Sequence, residues 1–247
     1  MWRVLGRAAG LGNRILTVTA GLMVFVMLTY GTYSLWDTFQ ITGNAYVSEA
    51  LLAYKPGEGE AGLEDLKKLN PDVRAWITVP GTHIDYPVVQ GEHDMVYVNQ
   101  DVYGAFSLSG AIFLSSQNRP DFTDGYSLLY GHHMENGAMF GDVTRFKEEA
   151  YFKDHPDGTL YLPEKSYRIC FFACVETDAY DEIIYHSGED ADPEKLLSHI
   201  RERSVQYRDI EKGENLIGLS TCADETETNG RAVIFGWLLE EPDGREV

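Results

Sequence analysis

The chain holds three cysteines, and Cys222 differs from the other two in its surroundings. It ends the apolar run "NLIGLSTC", and Arg231 opens the next run, "RAVIFGWLLE", after the acidic loop "ADETETNG". If Leu216–Thr221 and Ala232–Leu238 are adjacent antiparallel strands, the thiol and the guanidinium emerge at one rim of one sheet. A thiolate is a nucleophile, and a cation beside it can hold the oxyanion formed when it attacks a carbonyl. Arginine stays protonated at any working pH, so Arg231 is excluded as a general base. Asp224, Glu225 and Glu227 act against thiolate formation, because nearby negative charge raises a thiol pKa. On the hairpin alone, Arg231 reads equally well as the ion-pair partner of those acids.

A thiol that attacks an amide needs a proton carrier, most often histidine. Of the seven histidines, His83, His93, His155, His186 and His199 stand singly in polar surroundings and read as surface residues. His132 and His133 directly follow the strand-like "GYSLLYG" and precede the turn-like "MENGAMFGD", a place from which a side chain can face a cleft. Adjacent residues in extended chain point to opposite sides, so the two do not share a metal, and no carboxylate-rich pattern completes a site. No metal is expected. Cys170 and Cys174, in "YRICFFACVET", share a strand face by their even spacing and read as small buried core residues. Their Cα atoms would lie roughly 13 Å apart in extended chain, beyond disulfide reach. Cys222 is left without an evident partner.

The elements that must position these residues are mostly strands. Eight β-rich segments are punctuated by Gly, Pro and Asn: "RAWITVP", "IDYPVVQG", "GAIFLSS", "YSLLYGH", "GTLYLPE", "YRICFFACVET", "NLIGLSTC" and "RAVIFGWLLE". They predict a mainly β fold, a closed or nearly closed eight-stranded barrel with added helices. A helix is predicted in "DPEKLLSHIRERSVQYR", with Asp192 as N-cap, Pro193 at the first helical position, and Leu196, Ile200 and Tyr207 on one face. A shorter helix is predicted at Leu63–Leu69, ended by Asn70-Pro71. Glu64, Asp65, Lys67 and Lys68 make its solvated face.

The first 36 residues are of another kind. Ile15 to Trp36 contains no ionisable residue except tyrosine. As a helix this stretch rises roughly 33 Å, about the hydrocarbon thickness of a bilayer. Arg3, Arg7 and Arg14 precede it and Asp37 is the first acid beyond it, which predicts a cytoplasmic N-terminus and an exported C-terminal bulk. Its exit is bulky (Tyr30, Tyr33, Leu35, Trp36), as in an interfacial belt and unlike a cleavage site, so an uncleaved anchor is expected. The expected division is therefore a cytoplasmic segment 1–14, a transmembrane anchor 15–36, a stalk and linker 37–62 with the break "PGEGEAG", and an extracytoplasmic domain 63–247. The chain's formal charge is −19, and the N-terminal arginines leave the exported part more acidic still. Such a domain repels phosphate backbones, so nucleic acid is not an expected partner.

"YGHHMENGAMFGD" (Tyr130–Asp142) together with "LSTCADETETNGR" (Leu219–Arg231) resembles the class B sortases, membrane-anchored cysteine transpeptidases of Gram-positive bacteria. "NPDVRAWITVPGTHIDYPVVQG" and "YVNQDVYGAFSLSGAIFLSSQN" look like that family's opening strands, so the resemblance spans about Asn70 to Leu239. The helix from Asp192 falls where class B members carry an extra helix. The resemblance implies a sortase-type barrel with Cys222 as nucleophile, His132, directly after the glycine, as proton carrier, and Arg231 as oxyanion donor. It implies Asp224 as the acid two positions after the cysteine, with Ser220, Thr221, Ile183 and Ile184 beside the substrate peptide. It implies no cofactor. The implied partners are surface proteins bearing a C-terminal sorting signal, an amine of a cell-wall precursor or peptidoglycan, and membrane lipid around the N-terminal helix. The implied reaction cleaves the Thr–X bond of the sorting motif through a thioester on Cys222, then passes the acyl group to that amine or to a pilin subunit.

Three other readings compete. An L,D-transpeptidase is also β-rich and exported and also places histidine before cysteine, but it usually carries arginine two positions after the cysteine, where Asp224 stands here. A papain-like peptidoglycan hydrolase would place cysteine before histidine. A non-catalytic anchored binding module would use the barrel only to display loops.

Overall fold

The computed structural model describes residues 2–59, 61–222 and 229–241, of which 2–11, 37–44 and 222 are described by backbone alone. The chain forms two compact units, Met1–Gly43 and Asn44–Val247. The first belongs to helix α1 (Trp2–Ala45), whose stretch Gly12–Trp36 is long and apolar enough to cross a membrane. It is the one such helix among the described residues.

The second unit is built on strands β1 (Val73–Thr78), β2 (Asp85–Val89), β3 (Ile112–Leu114), β4 (Tyr126–Tyr130), β5 (Asp157–Tyr161), β6 (Ser166–Asp178), β7 (Ser204–Tyr207), β8 (Asn215–Cys222) and β9 (Gly230–Glu240). They pair in the order β5-β1-β2-β3-β4-β8-β9-β6, and the further β5–β6 pairing closes this ring of eight into a barrel. Closure removes the unpaired edges that an open sheet would expose. All eight predicted segments are strands of this ring. The ninth strand, β7, adds to β6 outside it.

Residue alternation decides what each strand buries. In β9, Ala232, Ile234 and Leu238 join the barrel interior with Ile77, Val88, Leu129, Leu160, Ile169 and Leu219. Val233, Phe235 and Trp237, one residue out of phase, face a second cluster with Tyr126 and Leu128 beneath helix α5 (Pro193–Arg203). Leu196 and Ile200 of α5 are buried there, each contributing about 1.5–3 kcal/mol by removing its side chain from water. A third cluster covers the opposite outer face, where Leu51 of α2 (Glu49–Leu52) and Leu63 and Leu66 of α3 (Leu63–Leu69) pack on Val73, Trp76 and Val89. A 3-10 helix (Gly141–Lys147) and α4 (Glu149–Asp154) complete the unit, and Phe140, Val143 and Phe146 join the barrel interior.

Three predictions are corrected by this architecture. The helix from Asp192 does not reach Tyr207: it ends at Arg203, and "SVQY" forms β7 against Ala173 to Val175 of β6. Its start is as predicted, since the Asp192 side chain accepts from Lys195 N–H and Pro193 opens the first turn. Cys170 and Cys174 do not share a face. A bulge between Phe171 and Ala173 inverts the alternation, so Cys174 joins Tyr167, Ile169 and Phe171 inside the barrel, and Cys170 is only half-buried. His199 is not a surface residue: its side chain is 16% exposed and its Nε2 lies 2.8 Å from Asp181 Oδ2.

Candidate active site

Two ladders bring the residues of interest to one end of the barrel. β4 and β8 run parallel with Tyr130 opposite Ser220, and Gly131 N–H extends the ladder to Ser220 O at 3.1 Å. β4 ends two residues before His132, and β8 runs on two residues past Ser220 to Cys222 at the same end. β8 and β9 run antiparallel with Cys222 opposite Arg231. His132 just past β4, Cys222 ending β8 and Arg231 near the start of β9 therefore lie at the same end of three neighbouring strands. Asp224, with Glu225 and Glu227, lies outside the described residues.

His132 is half-buried, and its Nε2 lies 2.8 Å from the carbonyl of Val98. A carbonyl only accepts, so Nε2 carries a proton there and Nδ1 is the nitrogen able to gain and lose one. The backbone before and after the ring is constrained. A Cβ on Gly131 would lie 2.5 Å from Ile112 Cδ1 and 2.7 Å from Phe140 Cγ, so the residue before His132 has room for glycine only. The chain then turns through Gly137, at φ +84°, and returns, Phe140 N–H donating to His132 O at 3.1 Å. Asp142, 2% exposed, ends the loop by accepting from His83 N–H at 2.8 Å, with His83 Nδ1 at 2.8 Å and Arg145 at 3.5 Å.

A pocket at this end is lined by Val98, Phe113, Tyr130, Gly131, His132, Ser220, Thr221 and Arg231. Two of its lining residues are stacked, Phe113 on Tyr130 at 5.2 Å, and Tyr130 stacks in turn on Tyr185 of the adjoining pocket at 6.2 Å. Tyr185 OH shares a hydrogen bond of 3.0 Å with Ser220 Oγ. Thr221 Oγ1 is buried and finds no partner among the described residues. Burial pushes the Tyr130 phenol well above its ordinary range, with Asp94 adding to the rise and Arg231 opposing it. Arg231 is half-buried and donates to Gly230 O at 2.8 Å.

Of the residues singled out from sequence, His132, Ser220, Thr221 and Arg231 line this pocket, and Cys222 is paired across the ladder with Arg231. Ile183 and Ile184 do not line it. Ile184 is fully buried beneath α5, and Ile183 lines a neighbouring pocket with Asp178, Tyr180, Lys195 and Arg203. The member of "DEIIYH" that reaches Ser220 is Tyr185. Tyr130, Tyr185, Val98 and Phe113 went unnoticed in the sequence. Only Tyr130 left a signal there, as the last outward-facing residue of a strand leading into Gly131-His132.

Residues 77–239 match the sortase domain family. Sortase B of Listeria monocytogenes is 30% identical over 198 residues, spanning 78% of this chain and 80% of the relative. A class B sortase of Streptococcus pyogenes involved in pilus biogenesis is 39% identical, with a TM-score of 0.65 over 71% of this chain and 97% of that one. Sortase B of Clostridium perfringens is 31% identical, with a TM-score of 0.65 over 71% of this chain and 98% of that one. With a closed barrel, and a histidine, a cysteine and an arginine at one end of it, the chain belongs to the sortases, as a class B member, and is a cysteine transpeptidase of cell-surface sorting.

Proposed function

We propose that Cys222 attacks the Thr–X bond of a C-terminal sorting motif, with Arg231 and His132 completing the catalytic set. The Cys222 thiolate adds to the threonine carbonyl, and Arg231 donates hydrogen bonds to the oxyanion. The C–N bond then breaks, the leaving amine takes a proton from Nδ1 of protonated His132, and a thioester remains on Cys222. An incoming amine of a cell-wall precursor attacks the thioester, neutral His132 takes its proton, and the thiolate is released. Ser220, Thr221 and Tyr185 would flank the peptide, and Asp224, two residues past the nucleophile in sequence, is proposed as a further contact. For Ile183 and Ile184 the supported role is indirect, as the buried footing of Tyr185.

The observation that supports this reading is that His132 and Arg231 line one pocket at the barrel end where Cys222 pairs with Arg231. A pilin subunit as acceptor is a second reading, favoured by the 39% identity to the Streptococcus pyogenes enzyme of pilus biogenesis. Residues 15–36 would cross the membrane among lipids with residues 1–14 in the cytoplasm, since Arg3, Arg7 and Arg14 all precede the span. Residues 37–43 would then form the stalk, and the unit from Asn44 on the catalytic domain outside.

The test incubates the full chain in detergent micelles with peptides carrying Asn-Pro-X-Thr-X or Leu-Pro-X-Thr-Gly cores. An acyl adduct on Cys222 is expected by mass spectrometry, with none in Cys222→Ala. Arg231→Lys should lose most turnover, because a point charge does not reproduce the guanidinium fork. Equal turnover in Cys222→Ala would end the proposal.

A further inference from the structure

We propose that Tyr86 is a positioning residue for His132, tying Ala45, where α1 ends, to the loop that carries the histidine. The inference rests on the assignment of His132 as proton carrier. Tyr86 lies in β2, 5% exposed, among the residues of the barrel interior. Its hydroxyl donates to Ala45 O at 2.9 Å and accepts from Met139 N–H at 2.9 Å. Burial pushes the phenol up to about 12, so it keeps its proton, and its donor role, at any working pH.

Met139 needs that support. Its φ is +54°, a left-handed conformation that side-chain-bearing residues seldom hold without surroundings that enforce it. It bridges His133, and the next amide, Phe140 N–H, donates to His132 O at 3.1 Å. Hydrogen bonds thus run from Ala45 through Tyr86 to Met139, and from Phe140 to His132. A second tie runs beside the first. Tyr46 OH donates to Asn136 O at 3.0 Å, and its ring lies 5.7 Å from that of His83, the partner of Asp142. The loop from His132 to Asp142 is therefore held at Asn136 and Met139 by residues 45 and 46, directly or through one phenol.

The far end of the segment that begins at Ala45 is fastened independently of the loop. Lys55 Nζ lies 2.9 Å from Asp85 Oδ2, and Asp85 also accepts from Trp76 Nε1 at 2.7 Å and Thr78 Oγ1 at 2.8 Å. Loosening that end should destabilise the unit without moving His132. A phenylalanine at 86, by contrast, fills the same space and leaves the Ala45 carbonyl and the Met139 amide without their shared partner.

The full chain in detergent micelles tests this with a sorting-motif peptide, reading kcat and KM separately and the pH dependence of Cys222 alkylation by iodoacetamide. Tyr86→Phe should lower kcat by about tenfold or more, as displaced catalytic groups do, with KM within about twofold. Its alkylation profile should lose the inflection that His132→Ala also removes. Lys55→Met should lower the melting temperature and leave both kcat and the profile at wild type. Wild-type kcat in Tyr86→Phe beside an inactive His132→Ala overturns the positioning role alone. An equal loss of kcat in Lys55→Met overturns it as well, because the effect would then be one of general stability. Full turnover in His132→Ala overturns the assignment of His132, and this inference with it.

Discussion

Gly131 gives the Gly-His pair of this chain a steric reason. Its missing side chain is what lets β4 end against Ile112 and Phe140, both within the barrel interior, with His132 at the next residue. Gly131→Ala would set a Cβ 2.5 Å from Ile112 Cδ1. Overpacking of this kind costs about 1–3 kcal/mol, which urea denaturation would read as a lower midpoint at unchanged slope. Because the displaced backbone leads straight into His132, acyl transfer should fall further than the lost folded fraction accounts for. Activity that merely tracks the folded fraction would count against this role. The proposed reactive residues could be picked out in the sequence because cysteine, histidine and arginine carry their chemistry in their type, and a hairpin between Cys222 and Arg231 makes those two neighbours. Tyr185 was not legible. Its approach to Ser220 depends on how the segment after β6 folds back beneath α5, and no local periodicity records that path.

At the scale of elements, α5 shows which boundaries sequence can read. Its start is a local matter of Asp192 and Pro193, whereas its end is decided by pairing with β6, which takes Ser204–Tyr207 out of the helical pattern. The parity of β6 was hidden for the same reason, since its bulge is a response to the partner strand β9. What fastens α5 to the pocket wall is Asp181. Its carboxylate accepts from Thr177 Oγ1 at 2.7 Å and from Ile183 and Ile184 N–H, with His199 Nε2 at 2.8 Å and Arg203 at 3.5 Å. Burial alone would raise its pKa, but the hydrogen bonds from His199, Thr177 and Ile184 outweigh it and hold the carboxyl below the ordinary range. A depressed carboxylate stabilises the fold fully above its unfolded pKa, about 3.9, and that contribution is lost as pH falls through the lower folded value. Asp181→Asn should therefore be less stable than wild type at pH 7, and should lose less further stability on acidification below about pH 4. Urea midpoints across that range measure both effects, and parallel curves for the two proteins would exclude Asp181 from the acid response.

For the molecule as a whole, barrel closure and charge act on different ranges. Closure through β5–β6 fixes the neighbouring ends of β4, β8 and β9 by short-range pairing, which salt barely touches. The net charge of −19 is a long-range property, and all of the N-terminal basic residues up to Trp36 sit outside the compact unit that holds the pocket. A field of that sign should draw cationic peptides toward the domain and speed their encounter with it. Raising ionic strength from about 10 mM to about 150 mM shortens the Debye length from roughly 30 Å to roughly 8 Å, which removes most of that attraction. For a sorting-motif peptide flanked by lysines, kcat/KM should fall severalfold over this range, while kcat at saturation stays constant because bound groups interact at close quarters. An uncharged peptide of the same core sets the baseline and should change little. If both peptides respond alike, the field does not reach the pocket, and the half-buried Arg231 at its wall, rather than the acidic whole, governs how substrate arrives.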